Sequence, residues 1–294
     1  MLIKIPGFRI GCLSFQRVID KVDGLSISFG LLFRNELPIH QIDQQNSGHC
    51  GIQVSFDIRP DFPFRCDVLI AEIGVWKNIF DPDPAAAGAA MEYAKGQLDL
   101  ADELGIVCCV NIAGTAGTAG WDAADPSNFT TETYARIVDS IREILDSVHP
   151  KTAFYCLEPM PWMIPDSPES YLQLIRDVDR RQCAVHMDFV NMINCPRRYL
   201  AAEQFIEDCF TRLGPLIKST HIKDSRMNPV ALTTMIEECS PGEGCLDFHK
   251  VLRILDQHLP ADAPVLLEHM STFEEYSRAY DYLKAIADQD MLSV

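Results

Sequence analysis

Four residues able to bind a hard cation each close a short apolar run in the second half of the chain: Glu158 in YCLEP, Asp188 in AVHMD, His221 in IKSTHIKD and Glu268 in PVLLEH. Such runs read as strands, so each polar group falls where a strand stops. When parallel strands close into a barrel their carboxyl ends share one face, and that face carries the chemistry. Three carboxylates gathered there without a cation would repel one another and be driven toward protonation; a divalent ion between them removes the conflict. Three carboxylates with one imidazole suit one Mn²⁺ or Mg²⁺, Mn²⁺ first, better than a structural zinc, and Co²⁺, Fe²⁺ and Zn²⁺ stay open.

The spacing supports a barrel. Glu158 and Asp188 are 30 residues apart and Asp188 and His221 are 33 apart, close to the roughly 31 per βα unit of a barrel with about 250 residues in eight units. His221 and Glu268 are 47 apart, so the last unit holds an insertion, best placed between Asp224 and Gly244, a stretch with two Pro and two Gly. Apolar periodicity predicts strands at 68–73, 106–112, 152–158, 183–188, 217–222 and 264–268. Helices alternate with them at 84–104, from about 130 to 148, and at 168–179, 199–213 and 247–258. Ser167-Pro168-Glu169 and Asp247 are helix starts, and Ser271 with Glu274 forms a capping-box pattern for a final helix ending near 288. The first 65 residues are less regular: FRIGCLSF, at 8–15, reads as the first strand, and LSISFGLLF and GIQVSF are short apolar pieces without an amphipathic helix. The prediction is an α/β protein, one (β/α)8 TIM-barrel domain over residues 1–294 with irregular N-terminal βα units.

Composition narrows the partners. A net charge of −17, from 25 basic and 42 acidic residues, argues against nucleic acid, whose phosphates are held by Lys and Arg. No run approaches the roughly 20 apolar residues of a membrane span, and the amino terminus has no signal-peptide form, so a cytoplasmic location is expected. Cys108, Cys109, Cys156 and Cys183, among eleven Cys in all, fall in predicted buried strands and read as reduced thiols. HExxH, CxxC, the P-loop and a strand-following GxGxxG are all missing from the sequence.

The motifs LEPMPW, HMDFVN, HIKD, PGEG before LDF, and LLEH resemble those of the xylose isomerase-like barrels, in particular sugar phosphate isomerase/epimerase proteins of the D-tagatose 3-epimerase type. The resemblance covers roughly residues 68–290. It implies Glu158, Asp188, His221 and Glu268 as metal ligands and a dimer or tetramer. It also implies Glu158 and Glu268 as an acid/base pair acting on a sugar-derived ketone through a metal-bound cis-enediolate. The chemistry is self-consistent: a divalent ion stabilises the developing oxyanion, and a carboxylate in reach of the carbon-bound proton removes it. Three positions depart from the epimerase pattern, with Asn191 in place of a His, Met227 in place of an Arg, and Ile164 in place of an acid.

Further candidates for substrate contact are His186, on the same strand face as Asp188; Asn191; Lys223 and Arg226 after His221; Trp121 and Trp162, together with Trp76, after strands; and Glu72 and Asn111 at strand ends. Against an isomerase or epimerase of a small sugar stand a non-catalytic carbohydrate-binding barrel and a lyase or dehydratase acting on a keto-polyol. An apurinic-site endonuclease needs more His than these positions supply.

Overall fold

The computed structural model describes residues 70–292 and the backbone of two short strands, β1 (Ser14–Val18) and β2 (Ser26–Gly30), which pair antiparallel. The strand expected at 8–15 lies outside the described residues except for Ser14 and Phe15, and so does most of the opening βα region. Among the described residues eight further strands follow: β3 (Glu72–Gly74), β4 (Cys108–Asn111), β5 (Phe154–Leu157), β6 (Cys183–Asp188), β7 (Ile217–Ile222), β8 (Asp224–Met227), β9 (Ile236–Cys239) and β10 (Val265–Leu267). All but β8 and β9 belong to one curled parallel sheet in the order β10-β7-β6-β5-β4-β3. Those are six of the eight strands that the barrel reading requires.

Helices α1 (Pro84–Leu104), α2 (Thr131–Val148) and α3 (Pro168–Val178) follow β3, β4 and β5, and α4 (Pro196–Tyr199) and α5 (Ala202–Leu213) follow β6. Helix α6 (Phe248–His258) precedes β10, and α7 (Phe273–Gln289) follows it. Their starts obey local chemistry. Asp83 accepts from the Ala85 N–H ahead of Pro84, Ser167 caps α3 ahead of Pro168, and Asp247 accepts from the His249 N–H. The capping box of the last helix is Thr272 with Glu275, one residue beyond the predicted Ser271 and Glu274. Both registers fit the pattern; the later one wins because the Glu275 carboxylate accepts from both the Ser271 and the Thr272 N–H. The helix expected at 199–213 is split, with α4 preceding α5, and the insertion after β7 is an antiparallel β8–β9 hairpin.

Period-two alternation assigns the faces of each strand. On β6, Val185 and Met187 enter the core against the helices, whereas Ala184, His186 and Asp188 are in the opposite phase. Two apolar cores lie between sheet and helices, one around β6, β7, β10 and the later helices, the other around β3, β4, β5 and the earlier ones. Each fully buried Leu, Ile or Phe there contributes on the order of 1.5–3 kcal/mol. The inward layer below the strand ends is apolar too, with Cys108, Val110, Cys156 and Ala184. The eight cysteines among the described residues are free. No described helix is long and apolar enough to cross a membrane.

Candidate metal centre

The order of the strands arranges the four predicted ligands in a row: Glu268 after β10, His221 on β7, Asp188 at the end of β6 and Glu158 after β5. One ligand atom from each lies within 4.8 Å of the others. Glu158, Asp188 and His221 are buried and Glu268 nearly so. Nδ1 of His221 is 3.1 Å from Glu158 Oε1 and 2.9 Å from Glu268 Oε1. The Asn191 N–H donates to Asp188 Oδ1, while Asp188 Oδ2 takes no hydrogen bond and meets only the Lys223 ammonium, 2.8 Å away. Hard oxygen donors and one imidazole converging in a buried space fit a divalent ion.

Beneath them lies a second tier. Glu72, 2 % exposed, reaches from β3 across the inside of the curled sheet to β7. There Ser219 Oγ donates to its Oε2 at 2.5 Å, and its Oε1 lies 3.2 Å from His221 Nε2. His186 Nδ1 stands 3.3 Å from Glu72 Oε2, and the two imidazoles meet edge to face at 4.2 Å between centroids. Both of these sequence candidates are therefore packed under the ligand row.

Lys223 follows His221 by two residues on the same inward phase. Its side chain is 1 % exposed and its ammonium is shared among Asp188 at 2.8 Å, Glu268 at 2.8 Å and Glu238 at 3.0 Å. Burial disfavours that charge, but Asp188, Glu268 and Glu238 outweigh it and raise the lysine pKa well above its ordinary value. Burial likewise opposes ionisation of Glu268, and His221 and Lys223 overcome it, holding the carboxyl well below the usual range. For His221 burial works against the cation, and Glu268, Glu72 and Glu158 push its pKa well up. Asp188 goes the other way: burial raises it, and Lys223 only partly compensates against Glu268 and Glu158.

Two residues not picked out from the sequence complete the cluster. Glu238, returning on β9, accepts from His269 Nδ1 at 2.9 Å as well as pairing with Lys223, and His269 Nε2 is 3.4 Å from Glu268 Oε1. His269 holds a left-handed φ of 59°, a costly conformation for a side-chain-bearing residue. The LLEH motif held His269 in view, but Glu238 sits in a hairpin with no sequence periodicity. That hairpin is anchored by Asp224, whose carboxylate accepts from the N–H groups of Ser225, Gly242, Gly244 and Leu246. A Cβ on Gly244 would sit 2.2 Å from Asp224 Oδ1, so the PGEG turn needs glycine there for close approach.

The remaining candidates separate. Asn111 is in phase with Cys109, facing the helices, and its amide is engaged by the Lys77 backbone and the Tyr155 hydroxyl. Arg226 is exposed on β8 and pairs with Glu237 rather than turning to the ligands. The Asn191 side-chain amide points to Met160 Sδ at 4.0 Å, and it is the backbone N–H of Asn191 that meets Asp188. Trp121 and Trp162 stand exposed on the loops after β4 and β5, Trp162 donating to the carbonyl of Asp122 at 2.7 Å. Trp76 takes a left-handed φ of 47° after β3, and its indole folds over Gly74.

The profile of the family described as xylose isomerase-like TIM barrel matches residues 50–286. The chain belongs to the xylose isomerase-like TIM-barrel family. No curated protein matches the sequence. Solved structures share the family fold at low identity. A D-tagatose 3-epimerase-like protein has a TM-score of 0.58 at 17 % identity, over 79 % of this chain and 81 % of that one. The 3-keto-D-glucoside 4-epimerase YcjR from E. coli, in its apo form, has a TM-score of 0.55 at 16 % identity, over 77 % and 82 %. A xylose isomerase-like TIM barrel protein from Mycobacterium smegmatis in complex with magnesium has a TM-score of 0.55 at 14 % identity, over 71 % and 70 %.

Proposed function

We propose that this xylose isomerase-like barrel is a divalent-metal-dependent isomerase or epimerase of a sugar or sugar-derived ketone. One observation carries the reading: the two glutamates, Glu158 and Glu268, occupy the flanks of the row and Asp188 and His221 its middle. A substrate held over the middle has a carboxylate on either side. One removes the proton next to the carbonyl and the other returns a proton to the opposite face, which inverts that carbon. A single active glutamate carries the proton between neighbouring carbons instead, which interconverts aldose and ketose. A positioned base of this kind contributes about 10²- to 10⁴-fold.

Glu158, Asp188, His221 and Glu268 would hold the ion, with Mn²⁺ the first to test. When bound, it supplies Lewis-acid stabilisation of the oxyanion that forms as the proton leaves. Lys223 partly neutralises Asp188 and Glu268, its ammonium 2.8 Å from an oxygen of each. Trp121 and Trp162 offer aromatic faces for the apolar side of a sugar ring, and the epimerase neighbours support a small carbohydrate substrate.

The test is solvent exchange. The Mn²⁺-loaded protein is incubated in deuterated water with a panel of ketoses and keto-sugars, and deuterium beside the carbonyl is read by proton NMR. Deuterium in substrate and in its epimer or aldose supports the reading. Loss of water from the substrate points to a lyase, and binding without exchange points to a non-catalytic carbohydrate-binding barrel.

A further inference from the structure

We propose that Glu72 is a positioning residue that fixes which nitrogen of His221 faces the cation, with Ser219 holding Glu72 in place and His186 packed beside it. The inference rests on the metal-dependent reading of the site.

The two nitrogens of His221 are divided between two carboxylate groups. Nδ1 faces Glu158 and Glu268 at 3.1 and 2.9 Å; Nε2 faces Glu72 alone at 3.2 Å. A metal-bound imidazole offers a lone pair on one nitrogen and an N–H on the other, and an ionised carboxylate only accepts. Glu72 therefore claims the proton for Nε2 and leaves the Nδ1 lone pair aimed into the ligand row. A carboxylate behind a metal-bound histidine fixes its tautomer and ring orientation and raises its basicity.

The packing gives Glu72 little freedom to do anything else. Its side chain is 3 % exposed and packed beneath the ligand row, with His186, Ser219 and His221 around its two oxygens. It spans from β3, at one edge of the six-stranded sheet, to β7, next to the other edge, which only the curl of the sheet permits. Ser219 donates to Oε2, and His186, fully buried, stands at 3.3 Å from the same oxygen. Oε1 is thereby left for His221 Nε2.

The same three residues, Glu72, His186 and His221, also bring ligand atoms within 4.8 Å of one another and would suit a second ion. That arrangement would place metal on both nitrogens of His221. In this second group, however, Glu72 Oε2 already accepts from the Ser219 hydroxyl at 2.5 Å, which leaves Oε1 to face His221 and makes the positioning role the simpler account.

Neither readout of the test needs turnover. Zn²⁺ is loaded into the full chain, its stoichiometry and affinity are measured by competition with a chromophoric chelator, and the His221 tautomer is read from long-range proton–nitrogen NMR. The expected result is one ion per chain at this site, the proton on Nε2 and a metal-shifted Nδ1. Glu72→Gln keeps the shape of the side chain and should weaken Zn²⁺ by about 10- to 100-fold, with the tautomer preference relaxed. Ser219→Ala should weaken it less, because Glu72 is loosened but still present.

Glu72→Gln binding Zn²⁺ as wild type does, a proton on Nδ1, or a second ion lost in His186→Gln would overturn the inference alone. A wild-type chain that binds no Zn²⁺ overturns it together with the functional reading. A chain that binds as expected yet exchanges no substrate proton keeps this inference and loses the enzymatic one.

Discussion

A carboxylate stands at each end of the barrel, and the two are satisfied in opposite ways. At the amino end of β5, Asp102 from α1 accepts from the backbone N–H groups of Lys151, Thr152 and Ala153 and from the Thr152 hydroxyl. At the carboxyl end of β6, Asp188 takes one backbone N–H, from Asn191, and otherwise relies on the charge of Lys223. Backbone donors cannot leave, so Asp102 is a permanent part of the fold. Side-chain cations can be displaced or can share their partner, so Asp188 and its neighbours are held together by charges that a ligand can replace. The amino end of a barrel serves stability and the carboxyl end chemistry, and here backbone donors saturate the first carboxylate while a side-chain charge faces the second.

The largest expected effect breaks the site end. Glu158→Gln and Glu268→Gln each remove a proton acceptor while keeping volume, and each should lower turnover by about 10²- to 10⁴-fold in the deuterium-exchange assay. If epimerisation is the reaction, each variant should still pass a proton on its remaining side, so exchange and inversion would separate. Two variants that retain full turnover would leave the pair without a catalytic role.

Lys223 offers the next test. Lys223→Met keeps an unbranched side chain one heavy atom shorter and strands Asp188, Glu268 and Glu238 without their shared ammonium. Removing one member of a buried ion group costs about 3–5 kcal/mol, to be read from urea unfolding of the metal-free chain. Added Mn²⁺ should return part of that loss in the variant, because an ion in the row supplies the missing positive charge. A variant as stable as wild type without metal would mean that Lys223 is no counter-charge.

The contrast between the two ends also explains what the sequence made visible. Strands β6 and β7 fall on the predicted 183–188 and 217–222, and α1 on 84–104, because buried strands and capped helices write themselves as periodic apolar runs. The four proposed ligands were legible because each closes such a run. Glu238 was not, since the β8–β9 hairpin has both faces partly exposed and lacks a clean alternation. Glu72 was expected to close a strand, but it opens β3 instead, one tier below the strand ends, and its partners Ser219 and His221 are about 150 positions away in sequence, joined to it only by the curl of the sheet. Asn111 does end its strand and yet faces the helices. A strand-end position names the end of the barrel, and the phase within the strand decides which side of it the group serves.

The smallest effect separates the two carboxylates by pH. Burial raises the Asp102 pKa, but the three backbone N–H groups and the Thr152 hydroxyl outweigh it, and the carboxyl lies well below its usual range. Its folded pKa is depressed, so its contribution is present above the unfolded value of about 3.9 and is lost as pH falls through the folded value. Asp102→Ala should cost about 1–2 kcal/mol at pH 7, with the gap to wild type constant down to about pH 4 and closing below it in acid unfolding curves. Asp188, raised by burial, has the reverse sign: in the metal-free chain its ionisation costs stability as pH climbs from about 3.9 through its higher folded value. Asp188→Asn should therefore flatten the curve over that interval, while Asp102→Ala flattens it only below. A single pH profile shared by both variants would erase the distinction between a backbone-held and a charge-held carboxylate.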